Sequence, residues 1–199
     1  MIVVDGGSQD GTVQIAHFFG VKVLSAPVGR ACQMNFGAKA ASGDILLFLH
    51  ADTRLPANFD ELIATLFIGD KTNSPHLIAG AFKLRINAPL LSLRLIEFGV
   101  NWRSRWLQMP YGDQAIFLKS HVFDDIGGFE NLPFMEDFAL MLRLKRLGRI
   151  AIIPVPVLTS ARRWQKLGVL KTTLINQGAI IAYLMHIPPQ KIAYWYRQH

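Results

Sequence analysis

Residues 45–49 read Ile-Leu-Leu-Phe-Leu and run directly into His50-Ala51-Asp52-Thr53-Arg54. No other feature limits the fold so much. The run is too continuous for a strand with one wet face and too short for a helix, so it reads as a strand buried on both sides of a parallel sheet. Ligands in open α/β sheets gather at the carboxyl ends of the strands, which places His50 and Asp52 at the rim of a crevice. A carboxylate there can hold a divalent cation. Residues 5–12, 111–114 and the pair Glu136-Asp137 also follow or flank apolar segments, as a site assembled from several strand ends requires.

The chain around this run alternates strand and helix signals. Residues 1–4 form an apolar strand, and Asp5-Gly6-Gly7-Ser8-Gln9-Asp10-Gly11-Thr12 turns into a helix reaching Phe19, with Asp10 as its cap. Residues 21–24 make a second strand, Gly29-Arg30 opens a helix of small residues ending near Ala41, and Gly43-Asp44 turns into the central strand. This β-α-β-α-β order predicts a parallel sheet with right-handed crossovers. Phe59, Leu62, Ile63, Leu66 and Phe67 give a helix with one buried face. After a polar loop at 69–75, alternation over 78–86 predicts a half-exposed strand, where the parallel pattern ends.

The second half is more apolar. Residues 90–102 predict a helix apolar all round, buried in protein or touching lipid, and 102–106 together with 109–114 predict a loop covering the crevice. A short strand follows at 115–118, then a helix capped by Ser120. Glu136 and Asp137 open a helix that Gly148 ends, a position that favours acids through the helix dipole alone. Pro154 and Pro156 restrict the strand at 150–157 to an edge or an irregular course. Residues 166–186 predict one long helix, and the aromatic and basic residues of 192–197 fit a membrane interface, the domain itself or a second subunit equally. The expected division is a domain at 1–160 and a helical extension at 161–199.

Charge and composition narrow the partners. A net charge of +7 favours an anionic ligand. Aromatic and basic residues do not interleave as in RNA-binding modules and no helix-turn-helix signal occurs, so nucleic acid is not the expected partner. The excess is carried by Arg143, Lys145, Arg146, Arg149, Arg162, Arg163, Lys166 and Lys171. Cys32 is the only cysteine, which removes any intrachain disulfide. With no signal-peptide pattern and no apolar stretch approaching about 18 residues, a cytoplasmic location is expected, with peripheral contact at the inner face of a membrane left open.

Taken in order, these stretches resemble the family 2 glycosyltransferases, which have the GT-A fold. Residues 3–12 are similar to the family's Val-Asp-Asp-Gly-Ser-x-Asp-Gly-Thr turn, and Gly29-Arg30 through Asn35-Gly37-Ala38 to its basic, small-residue helix beside the nucleotide. His50-Ala51-Asp52 stands in the place of the Asp-x-Asp metal motif. Gly127-Gly128-Phe129 followed by Glu136-Asp137 looks like the acceptor-side motif. A compact bacterial subgroup has the same Leu-His-Ala-Asp-Thr version of the metal motif.

The resemblance implies an α/β GT-A domain, with a mainly parallel mixed sheet flanked by helices and a helical C-terminal appendage. It implies a metal-dependent, inverting transfer from a nucleotide-diphosphate sugar to an acceptor hydroxyl on a glycan, lipid or small molecule. Asp5, Gly7, Asp10, Arg30, His50, Ala51 and Asp52 then bind the nucleotide sugar, with His50 and Asp52 on manganese or magnesium. Asp137 is the implied base beside Glu136, Asp113 and Gln114 position the reactants, and Arg162 or Arg163 holds the diphosphate.

Three departures set further expectations. The chain starts at the family's second strand, so the base pocket is expected to be incomplete and the exposed sheet flank able to pair with another chain as a homo-oligomer. Gly6 replaces an acid near the base. His50 replaces the first metal-motif Asp, which suits manganese better than magnesium. The rival readings are a sugar-nucleotide nucleotidyltransferase, whose glycine-rich triphosphate loop is not seen here, and a relative that binds nucleotide sugar without turnover.

Overall fold

The chain enters through a parallel β-α-β unit. In the computed structural model, which describes residues 1–69 and 76–198, β1 (Ile2–Asp5) and β2 (Lys22–Ser25) pair in parallel from Ile2–Lys22 to Asp5–Ser25. They are joined by α1 (Thr12–Phe18), and α2 (Arg30–Lys39) packs back on β1. This unit is lightly buried, with Asp5, Ala16 and Ala31 its buried residues.

The next strand departs from the expected parallel order. β3 (Ile45–Leu47) does not pair with β1 or β2 among the described residues; it runs antiparallel to β6 (Phe117–Lys119), with Leu46 opposite Leu118. The apolar run is right for a sheet strand but says nothing of its partner, because parallel and antiparallel neighbours bury a hydrophobic strand equally well. Its burial is also incomplete. Leu46 is buried and Leu49 exposed.

The main sheet has the order β3-β6-β5-β7-β4, completed by β4 (Thr53–Arg54), β5 (Leu77–Asn87) and β7 (Arg149–Ser160). β5 and β7 are parallel, while β3–β6, β5–β6 and β4–β7 are antiparallel. The alternation in β5 suggested one wet face, yet Leu77–Phe82 is buried throughout and only the end alternates. Its position between β6 and β7 explains this. β7 likewise lies inside the sheet, and its prolines are absorbed by a register shift opposite Phe82 and Lys83. The irregular course was the correct alternative.

Helices cover both faces of this sheet. One core joins Leu46, Leu118 and Ile150 to α2, α5 (Ser120–Asp125) and α6 (Glu136–Leu147). The other joins Phe82, Phe117 and Val157 to α3 (Phe59–Gly69) and α4 (Leu91–Leu107). Fully buried side chains such as Leu140 and Phe117 each contribute roughly 1.5–3 kcal/mol.

Two helical expectations need correction. α4 continues through residues 102–106, which were expected to form a crevice-covering loop, since nothing before the left-handed Gln108 breaks it. The helix expected at 166–186 is instead α7 (Arg162–Leu167) and α8 (Val169–Leu184), divided at Gly168 with φ +85°. α9 (Pro189–Gln198) returns to the domain, where Tyr196 lies 4.1 Å from the Phe134 ring and donates to Asn176 Oδ1 at 2.9 Å. Among the described residues no helix is long and apolar enough to cross a membrane. The polar loop expected at 69–75 lies outside the described residues except for Gly69, which ends α3.

Candidate active site

Gly112 is where the two halves of the site meet. It opens a single 3₁₀ turn, Gly112–Gln114, and donates its N–H to Asp137 Oδ2 at 2.8 Å. A side-chain carbon at this position would sit 2.7 Å from His50 Nε2 and 3.3 Å from Asp137 Oδ2. His50, which opens the His50–Asp52 stretch, and the start of α6 are therefore one residue's width apart.

Asp137 is oriented by backbone on both oxygens, since Phe138 N–H donates to Oδ1 at 2.7 Å. Glu136 is buried and pairs with Arg30 Nε at 2.8 Å. Burial pushes its carboxyl above the ordinary range despite Arg30. Arg30 also faces the Phe134 ring, which stacks on Tyr196, and the Arg163 guanidinium covers Tyr196 at 4.0 Å. The ladder Arg163, Tyr196, Phe134, Arg30 and Glu136 thus ties the C-terminal helices to the acidic pair.

Asp113 and Arg103 lie close enough in the wall for their charges to influence one another. Burial raises Asp113 to about 6, opposed by the Arg103 charge and assisted by Asp137. Arg103 lies over the Tyr111 ring at 3.4 Å and donates from Nε to Met109 O. Its Nη2, Asp113 Oδ1 and Arg163 Nε are buried without hydrogen-bond partners, which leaves polar atoms for a ligand or water to satisfy.

On the opposite side, burial and the charge of Arg30 hold His50 below its usual value, so its imidazole is neutral near pH 7. Asp52 is exposed, and its contact with Arg162 Nη2 is long, at 3.8 Å. A cleft of about 260 Å³ lies here, lined by Asp52, Arg54, Ser160 and Arg162 among others. Among the described residues no three His, Cys, Asp or Glu side chains converge as a complete ligand set. A neutral imidazole nitrogen and a lightly engaged carboxylate nevertheless suit a cation completed by phosphate and water oxygens.

The remaining residues singled out by sequence divide clearly. Asp5 is tied into its own turn, accepting from Gly7 N–H at 2.8 Å, Ser8 N–H at 3.1 Å and the Ser8 hydroxyl. Asp10 accepts from Thr12 N–H at 3.0 Å and its hydroxyl, so it remains exposed as a turn residue. Ala51 is exposed. Gln114 is fully buried and bonded to Ser104, Tyr111 N–H and Phe82 O, which makes it a brace unavailable to a reactant.

Both ends of the Asn35 amide are taken up by Phe129, Nδ2 donating to its C=O and Oδ1 accepting from its N–H. Arg143 similarly binds the Ile126 and Gly128 carbonyls, so the basic cluster is not one free patch. Tyr111 and Arg103 lay within stretches expected at the crevice but had no role of their own, and Phe134 and Tyr196 were not singled out for the site. Their aromatic and basic character was visible, but only the fold brings them together.

Residues 1–129 match the family model described as Glycosyl transferase family 2. No protein of curated function matches the chain by sequence. Among solved structures it is similar to the mannosyltransferase PcManGT from Pyrobaculum calidifontis in complex with GDP-Man and Mn2+, at 20% identity and TM-score 0.57 over 79% of this chain and 46% of that one. It is also similar to glucosyl-3-phosphoglycerate synthase from Mycobacterium tuberculosis with Mn2+, UDP-glucose and phosphoglyceric acid, at 20% identity and TM-score 0.59 over 94% of this chain and 69% of that one. The chain spans under half the length of the first and about two thirds of the second. These likenesses place the α/β architecture among GT-A-like folds.

Proposed function

This chain belongs to glycosyl transferase family 2, and from that premise we propose that it moves a sugar from a nucleotide-diphosphate donor to an acceptor hydroxyl with inversion. The observation that carries the reading is the junction at Gly112, where one backbone N–H holds Asp137 while His50 packs against the same residue. Reactants bridging the two sides would have the diphosphate near His50 and Asp52 and the attacking hydroxyl near Asp137.

Asp137 takes the proton from the acceptor hydroxyl as its oxygen bonds to the anomeric carbon. The bond from that carbon to the diphosphate oxygen breaks, and its electron pair leaves with the nucleoside diphosphate. Attack opposite the leaving group inverts the centre. Gly112 and Phe138 N–H groups hold the carboxylate for this transfer, while Glu136 fixes Arg30 nearby. His50 and Asp52 would hold manganese or magnesium, which supplies charge stabilisation for the departing phosphate. Arg162 is the side chain next to Asp52 able to share that charge.

The test is nucleoside diphosphate release from a panel of nucleotide sugars and acceptors, with and without manganese or chelator. Asp137→Asn is expected to lower turnover about 10²–10⁴-fold while donor binding persists; Asp52→Asn is expected to lose metal-dependent turnover. Product anomeric configuration by NMR reads inversion directly. A binding-only relative is favoured by one observation, the separation of β1–β2 from the main sheet. Nucleotide binding without release under all these conditions would select it.

A further inference from the structure

Helix α4 is fixed to the sheet by one face and bare on the other. Its inner face covers the edge of β5 beyond β6: Asn101 bonds both Leu84 N–H and C=O, and Glu97 accepts from Ile86 N–H. Leu93, Glu97 and Ser104 are buried. The outer face presents Leu91, Leu95, Phe98, Trp102 and Trp106, spaced as one stripe and 51–83% exposed. This stripe satisfies no core.

We propose that the outer face of α4 seats on an anionic bilayer surface. Charge argues for that occupant over a second copy of the chain. Helix α4 carries Arg94, Arg103 and Arg105 against a single acid, Glu97. Glu97 is buried and paired with Arg94 at 3.1 Å, so the outer face carries no exposed carboxylate. Arg105 stays exposed with its guanidinium 5.8 Å from the Trp106 ring. A stripe of large apolar residues ending in tryptophans with a cation beside them matches the acyl-to-headgroup boundary. A second copy meeting face to face would instead oppose like charges.

The seating has a consequence for the acceptor, and this part rests on the transferase reading. Arg103 and Ser104, within the stripe's last turns, brace Met109, Tyr111 and Gln114, and Gly112 between these holds Asp137. Docking α4 therefore brings the base toward the headgroup layer, where the acceptor hydroxyl belongs to an amphiphile held in the bilayer.

Vesicle co-sedimentation tests the surface without nucleotide sugar, so its outcome is independent of catalysis. The 199-residue chain is mixed with phosphatidylcholine vesicles with and without phosphatidylglycerol, beside Leu95→Glu/Phe98→Glu and a control, Leu170→Glu/Leu174→Glu, on the exposed face of α8. The wild type and control are expected to bind anionic vesicles, with the α4 variant at least about tenfold weaker and blue-shifted tryptophan emission lost with it. All four positions are exposed, and circular dichroism confirms that the variants fold. Equal binding by the α4 variant, equal loss in the control, or no wild-type binding each overturns the proposal. A dimeric wild type that the α4 substitutions convert to monomer would give the face to a second copy. If binding holds but bilayer-resident amphiphiles fail as acceptors while water-soluble ones are glycosylated, the surface stands and the acceptor inference falls.

Discussion

The acids of the first turn and those around Gly112 are held by opposite means. Asp5 and Asp10 are bonded by residues two or three positions away, and the Ser8 and Thr12 hydroxyls, followed by backbone N–H groups, hold both carboxyls below the ordinary range. Asp137 is held by Gly112, 25 residues away, and Glu136 by Arg30 from another helix. Burial drives Asp113 and Glu136 upward. The first region is a self-contained turn that a short peptide could approximate. The second exists only when α2, α6 and the 3₁₀ turn are assembled, which makes it the sensitive region.

Substitution at Gly112 should break that second region most severely. Its backbone does not require a positive φ, so the demand is for space: a methyl group would meet the His50 ring at 2.7 Å. Moving either His50 or the N–H on Asp137 misaligns the reacting groups. Gly112→Ala is expected to lower turnover about 100-fold, with donor affinity changed much less. Single-turnover kinetics beside equilibrium nucleotide binding separates the two. At Gly7 the demand is different, because φ is +100° and nothing lies within 4 Å of an added carbon. Gly7→Ala should strain the turn without touching the base.

A smaller effect distinguishes the regions by pH. The folded Asp113 value of about 6 lies above the ordinary 3.8, so the folded protein binds this proton more tightly than the unfolded chain does. Its contribution is fully present below 3.8 and is lost as pH rises through 3.8 to about 6. The loss is on the order of 3 kcal/mol. Asp113→Asn is expected to remove this segment of the profile, read as the difference between wild-type and variant urea midpoints across that pH range. An unchanged difference would mean that Arg103 fully neutralises the carboxylate.

The same division explains what the sequence reveals. The turn at Asp5–Asp10 and the helix start at Glu136 are local patterns, and each takes the form its residues dictate. The junction at Gly112 is not local. Gln114 looked available and is consumed by Ser104, Tyr111 and Phe82, while residues 192–197 fitted membrane, domain or second subunit equally and Tyr196 stacks on Phe134. β3 shows the limit for the fold, since hydrophobicity identifies a sheet strand without naming its neighbour. α4 shows another limit: the apolar pattern marked a helix but could not tell the face on β5 from the face left bare.

The smallest predicted effect comes from the self-contained turn. The Ser8 hydroxyl is the largest influence lowering the Asp5 pKa, ahead of the Gly7 and Ser8 N–H groups. Ser8→Ala should therefore raise the Asp5 value toward 3.8 without unmaking the turn, since both N–H donors remain. The sign is opposite to that of Asp113. A lowered carboxyl contributes stability above its unfolded value and loses it as pH falls, so at pH 7 both wild type and variant carry an ionised Asp5 and nucleotide affinity should differ by less than about threefold. The difference should emerge only as pH falls below the ordinary carboxylate range, where nucleotide titration by fluorescence can follow it. A tenfold loss at pH 7 would show that the Ser8 hydroxyl itself contacts the nucleotide, and that this turn is organised by its ligand as much as by its own hydrogen bonds.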